Sequence, residues 1–208
     1  MLACKIIFGF AGGTTTVFDL VAYMASQFPY LHEYRISGYT SMIGNVDAGY
    51  LYSVSMILPD SQDPTDADAV WEPILTHVNA TWPGALASYD VKPYGSFLSF
   101  FNDHHDTNPA GDNHWSGSRL VDPETLRNKV REVRDALQAM AGTDVLQVVL
   151  PFLLSGEGVW NAKPRGGGNA VVPAWRKAMA HISKFHGHAI PLVSSCLSQS
   201  SVGRHINA

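Results

Sequence analysis

The chain has 208 residues, of which 46% are hydrophobic and 15% charged, and its 14 Lys and Arg against 18 Asp and Glu give a net charge of −4. At roughly 150 residues per domain this predicts one domain with enough apolar material for a core, and a surface without the basic footprint that a nucleic-acid partner needs. No apolar run reaches the roughly 18 residues of a membrane span, and the first ten residues, with one charge and no cleavage pattern, predict no signal peptide and a cytoplasmic chain.

A strand over residues 5–10 opens the chain. Val17, Leu20, Val21, Met24 and Phe28 then share one helical stripe, with Thr16 as its cap, Asp19 three positions on and Pro29 as its stop. Residues 35–43 and the run Tyr50, Tyr52, Val54, Met56, Leu58 predict a hairpin; the period of two gives its second strand one dry face. A second helix carries Trp71, Ile74, Leu75, Val78 and Trp82 on its stripe. Asp63, Asp66 and Asp68 crowd its first turn, where the helix dipole favours negative charge, and Pro83-Gly84 closes it.

A strand over 89–101, bent at Pro93, and a polar loop over 102–117 follow. In the third helix Asp122 is the cap and Pro123 the first helical residue, and Leu126, Val130, Val133, Leu137 and Met140 repeat up to Gly142. Its Arg127, Lys129, Arg131 and Arg134 form a solvated face. Strands over 145–154 and 171–185 end the pattern. Helices separated by hairpins rather than by single strands predict an α+β fold: an antiparallel sheet covered on one face by helices, in a single domain over 1–185. The serine-rich tail 186–208 loses periodicity and is expected to be poorly ordered.

The sequence holds few signatures of chemistry. His104, His105, Asp106, Asp112, Asn113 and His114 crowd the polar loop, but their spacing matches no metal motif, so no metal site is assigned. There is no Gly-x-Ser-x-Gly elbow. Cys4 and Cys196 lack an adjacent activating base and are too few for a disulfide framework. Gly166-Gly167-Gly168 precedes a strand and has no Lys-Ser/Thr after it, so neither a P-loop nor a dinucleotide fingerprint fits. Asn79-Ala80-Thr81 is an N-glycosylation sequon, relevant to a secreted chain.

The densest run of special residues is 160–178, and here Gly168-Asn169-Ala170-Val171-Val172-Pro173-Ala174-Trp175-Arg176 resembles a signature in the substrate domains of fungal FAD-linked oxidoreductases of the berberine-bridge-enzyme-like group. Ser26-Gln27-Phe28-Pro29-Tyr30-Leu31 through Ser37-Gly38-Tyr39, Asn79-Ala80-Thr81-Trp82-Pro83-Gly84 and Gly117-Ser118-Arg119-Leu120-Val121 resemble the same domain, in order, over roughly residues 17–181. The resemblance implies a large antiparallel sheet backed by helices and, in the intact family, oxidation of an alcohol, amine or ring carbon by hydride transfer to FAD. The family's flavin-linking His and Cys and its pyrophosphate loop have no counterpart in these 208 residues. The resemblance therefore implies a substrate-side domain with no cofactor of its own, FAD belonging to the full-length family.

The same resemblance points to a sheet face that would meet the flavin, with Tyr39, Tyr52, Asn161, Asn169 and Trp175 as substrate-binding candidates and Glu157 and Arg165 as catalytic ones. Each has an alternative. Tyr39, Tyr52 and Trp175 could be packing aromatics, Arg165 could pair with Glu157, and Asn161 and Asn169 could hold the glycine turn. The partner implied is a hydrophobic small molecule, in secondary metabolism. A homodimer, or a chain carrying the missing flavin domain, would cover the exposed face. The alternatives are a flavin-independent cyclase, isomerase or binding protein on the same domain, and a fragment without function.

Overall fold

In a computed structural model, which describes residues 1–105, 114–142, 146–165 and 170–187, alternation sorts the strand side chains onto two faces. In β1 (Leu2–Phe10) Leu2, Cys4, Ile6 and Phe8 are buried; a hairpin follows, β2 (Ser37–Asn45) with β3 (Gly49–Leu58), in which Tyr50, Tyr52, Val54, Met56 and Leu58 are buried. Phe8 lies opposite Tyr52 and Cys4 opposite Met56, so these apolar sets meet on one face. Asn45 shapes the hairpin turn: its Oδ1 accepts hydrogen bonds from the Asp47 and Ala48 N–H groups at 3.0 and 2.8 Å. With β4 (Leu86–Pro93), β5 (His114–Val121), β6 (Gln147–Leu153) and β7 (Ala180–Gly187) the sheet has, among the described residues, seven strands in the order β4-β1-β3-β2-β6-β7-β5, every pair antiparallel.

Helices cover the apolar face. Val17, Leu20, Val21 and Met24 of α1 (Val17–Ser26) join one core with Phe28 and Leu31 of α2 (Phe28–Glu33), Trp71, Ile74 and Val78 of α3 (Pro64–Thr81), and Val133 and Leu137 farther along the chain. The expected α+β architecture is the one observed. Asp63 caps α3 by accepting from the Thr65 N–H at 3.0 Å, and Asp122 caps α5 (Pro123–Asn128) through the Thr125 N–H at 2.8 Å. No helix among the described residues is long and apolar enough to cross a membrane.

Several boundaries differ from the sequence expectation, each for a local reason. Pro29 does not end the first helix but occupies the first turn of α2, where its missing N–H costs nothing. Thr16 has helical dihedrals and makes no side-chain cap; its own N–H donates to Thr14 Oγ1 instead. The third helix breaks at Lys129 into α5 and α6 (Val130–Ala141), although the apolar spacing runs straight across the break. Its basic face is only partly solvated, because Arg134 reaches Asp19 of α1 at 3.1 Å.

The chain also turns helical after Pro93. Ser96 caps α4 (Phe97–His104) by accepting from the Ser99 N–H, so 97–101 is not strand. Phe97, Leu98 and Phe101 of α4 are 65%, 66% and 49% exposed, an apolar patch that nothing described covers. Residues 114–117, expected in a polar loop, belong to β5, while 106–113 lie outside the described residues. The strand expected over 171–185 is shorter, with Pro173 opening a 3-10 helix (Pro173–Arg176) before β7. Residues 188–208, most of the expected tail, lie outside the described residues.

Arg35 stands where α2 ends, at φ +59. Its N–H donates to His32 O at 2.8 Å and the Ile36 N–H to Leu31 O at 3.1 Å, the bonding of a Schellman stop that glycine usually fills. The ion pair of Arg35 with Asp60 is exposed and contributes little. Arg35→Gly is therefore expected to stabilise the fold by about 1 kcal/mol, read from the urea midpoint.

Burial pushes the Cys4 thiol up to about 11. An unfolded cysteine ionises near its ordinary value, so between the two pH values only the unfolded state releases the proton, and stability falls as pH rises through that window. Urea midpoints at pH 8 and pH 10 should show this loss in the wild type and a smaller one in Cys4→Ala.

Candidate functional site

Strand register places one row of side chains across the face opposite the helices. Lys5 lies between Asp90 and Ser55, Ser55 faces Tyr39, Tyr39 faces Phe152, and Phe152 and Leu120 flank His181. The middle of the row is aromatic. The Tyr39 and Phe152 rings meet edge to face at 5.0 Å, and Phe152 and His181 lie 6.3 Å apart. Trp175 joins from the 3-10 helix, its ring 5.5 Å from His181.

Local chemistry holds Trp175 there. Its carbonyl accepts from Ser155 Oγ at 3.2 Å. The adjoining turn is tied down by Trp160, whose indole N–H donates to Ala178 O at 2.6 Å, and by Arg176, which donates to Val159 O at 2.7 Å. A Cβ on Gly156 would sit 2.6 Å from the His32 ring, which lies against Trp160, so a larger residue there would have to displace that ring.

Beside the aromatic row runs a set of hydroxyls. Ser41 and Ser53 share a hydrogen bond of 2.7 Å, and Ser183, opposite Leu150 and Ser118, lies 3.4 Å from His181 Nε2. Among the described residues, the central strands β2, β3, β6 and β7 offer this face no carboxylate or ammonium group; Tyr39 and His181 are its titratable groups. The face is open at Tyr39, which is 57% exposed, and at Leu51, and closed over Val148, Leu150 and Ser183. Such a surface can stack a ring, give and accept hydrogen bonds, and leave the ligand uncharged.

The sequence-based candidates divide. Tyr39 and Trp175 belong to this site. Tyr52 does not: it is fully buried on the helix-covered face, stacked on Phe8 at 5.9 Å, and burial raises its phenol. Its hydroxyl makes no hydrogen bond of good geometry among the described residues; the Thr40 hydroxyl lies beside it and donates to Pro151 O. Glu157 begins the short α7 (Glu157–Trp160), Asn161 follows it and Arg165 lies beyond, all three exposed. No ion pair joins Glu157 to Arg165, and no hydrogen bond or ring contact links these three side chains to the aromatic row. Asn169 and Gly166-Gly167-Gly168 lie outside the described residues. Phe152 and His181 were missed because cross-strand register, which brings them beside Tyr39, has no local signal.

No protein-family model and no curated protein matches this sequence. Solved structures do. A VAO-type flavoprotein from Myceliophthora thermophila superposes with a TM-score of 0.71 at 22% identity, over 91% of this chain and 34% of that one. The fold is that of one part of a VAO-type flavoprotein. A variant of berberine bridge enzyme (TM-score 0.51, 6% identity, 88% and 36% covered) and a xylooligosaccharide oxidase from M. thermophila in complex with xylobiose (0.51, 11%, 88% and 38%) share it. The chain thus spans about a third of the length of the flavoproteins it resembles.

Among the described residues most helix starts are poorly suited to the pyrophosphate of a flavin dinucleotide, which a helix N-terminus can otherwise attract. The first turns of α1, α3, α5, α6 and α7 carry Asp19, Asp66, Glu124, Glu132 and Glu157, Asp63 and Asp122 cap α3 and α5, and α2 and α4 alone have no acidic residue there. No group of three or more His, Cys, Asp or Glu among the described residues is placed to hold a metal ion.

Proposed function

We propose that this chain is the substrate-side domain of a flavoenzyme related to the VAO and berberine-bridge types, and that the face of β2, β6 and β7 binds a largely apolar, uncharged small molecule. The aromatic row Tyr39–Phe152–His181 with Trp175 carries the reading: it lies on the sheet face that the helices leave uncovered, and the described central strands bring no carboxylate or ammonium group to it, Lys5 and Asp90 standing at the β1–β4 end of the face. The shared fold supports it. Phe152 and Trp175 supply ring surface, the serines supply hydrogen bonds, and Tyr39 and His181 are the groups able to exchange a proton with a ligand hydroxyl. The flavin belongs to a further portion, on the same or a second polypeptide; the acidic first turns of five of the seven described helices disfavour a pyrophosphate here. Oxidation of the bound molecule requires that portion.

The visible absorption spectrum tests this division of labour. Purified chain incubated with FAD and desalted should show no flavin band, and none should appear after denaturation. A band that survives desalting means that the domain holds the cofactor itself, and the reading is then wrong.

A further inference from the structure

We infer that Asn79 is the acceptor for an N-linked glycan when the chain, against the cytoplasmic expectation from its first residues, enters the secretory pathway. Of the chain's nine asparagines, Asn79 alone is followed two residues later by a hydroxyl residue with no intervening proline. The fold keeps that segment accessible: Thr76, His77, Asn79, Ala80 and Thr81 are all exposed on the last turn of α3, while Ile74, Leu75 and Val78 hold the helix to the core. A glycan on Asn79 therefore points into solvent and displaces no core contact. It also leaves the aromatic row free, because α3 lies on the opposite face of the sheet, against β1 and β4.

The modification precedes completion of the helix. In the fold Asn79 and Thr81 are helical, and Thr81 Oγ1 sits 3.3 Å from His77 Nε2, which keeps its hydroxyl away from the Asn79 carboxamide. The helix stops at Trp82, whose dihedrals are not helical, and a helix end frays, which frees the acceptor segment from the helix. In the transfer, a bond forms between Asn79 Nδ2 and the anomeric carbon of an oligosaccharide carried on a polyprenyl pyrophosphate. The anomeric C–O bond breaks, the pyrophosphate leaves with its electron pair, and one carboxamide proton passes to solvent.

The test is the intact mass of the chain recovered from the secretory pathway of a eukaryotic host, whether secreted or retained. The wild type should exceed its 22.6 kDa polypeptide mass by a single glycan, fall back on peptide N-glycosidase treatment and show aspartate at position 79. Asn79→Gln and Thr81→Val should each carry none, and Thr81→Ser should keep a reduced share. Both exposed positions tolerate these changes, and Thr81→Val decides the matter if Asn79→Gln is not recovered. Wild type with the bare polypeptide mass, or a glycan that persists in Asn79→Gln, would overturn the inference.

Discussion

Trp71→Ala is expected to lower the unfolding free energy by about 3–5 kcal/mol, a substantial part of the roughly 5–15 kcal/mol that holds a domain folded. Trp71 is fully buried on the helix-covered face, where α3 meets β1 and β4. Its loss removes the apolar contacts of the indole and leaves a cavity that the surrounding helices and strands cannot fill. The indole N–H finds no nitrogen or oxygen acceptor among the described residues, and only the Cys4 thiol, a weak acceptor, lies beside it. Trp71→Phe removes that unpaired N–H with less volume and is expected to cost clearly less than the alanine change. Urea unfolding midpoints of the two variants measure both effects; equal losses would mean that cavity volume does not dominate.

Gly49→Ala is expected to cost about 3 kcal/mol or more, through backbone strain and overpacking together. Gly49 begins β3 at φ +94, and an added Cβ would stand 2.2 Å from Phe10 O and 3.0 Å from the Gly12 nitrogen. Backbone on both sides prevents relief by side-chain movement. The collision lies where the β2–β3 hairpin crosses the end of β1, so the damage should spread into hairpin register. Hydrogen exchange would register it as lost protection in β2 and β3. By contrast Gly84→Ala, also at positive φ but with nothing near its Cβ, should show the conformational cost alone.

What local pattern controls was legible in the sequence. The stripe through Trp71, Ile74 and Val78 and the alternation through Tyr50, Val54 and Leu58 predicted the core because burial follows each element's own period. The same alternation already placed Tyr52 on the dry face, against its assignment to the ligand site; the resemblance outweighed a parity argument that the structure upholds. The helix at Phe97–His104 was concealed by its aromatic residues, which favour strands as readily as helices. The edge strand at His114–Val121 was concealed by Gly117 and its polar neighbours, since an edge needs little apolar alternation. Half of the proposed aromatic row was visible, in Tyr39 and Trp175. Phe152 reaches Tyr39 through a pairing of strands more than a hundred residues apart along the chain, and His181 reaches Phe152 through the β6–β7 pairing, neither of which any spacing in the sequence encodes.

The central claim is that the aromatic row is where a small molecule binds, and mapping amide chemical shifts by NMR tests it most directly. Benzyl alcohol, a neutral ring with one hydroxyl, is the probe. The account predicts shifts concentrated at Tyr39, Phe152, Trp175 and His181, weakened in Tyr39→Ala, with α1, α3 and α6 unmoved. Shifts centred on the exposed Phe97, Leu98 and Phe101 of α4, or none at the aromatic row at saturating probe, would contradict it.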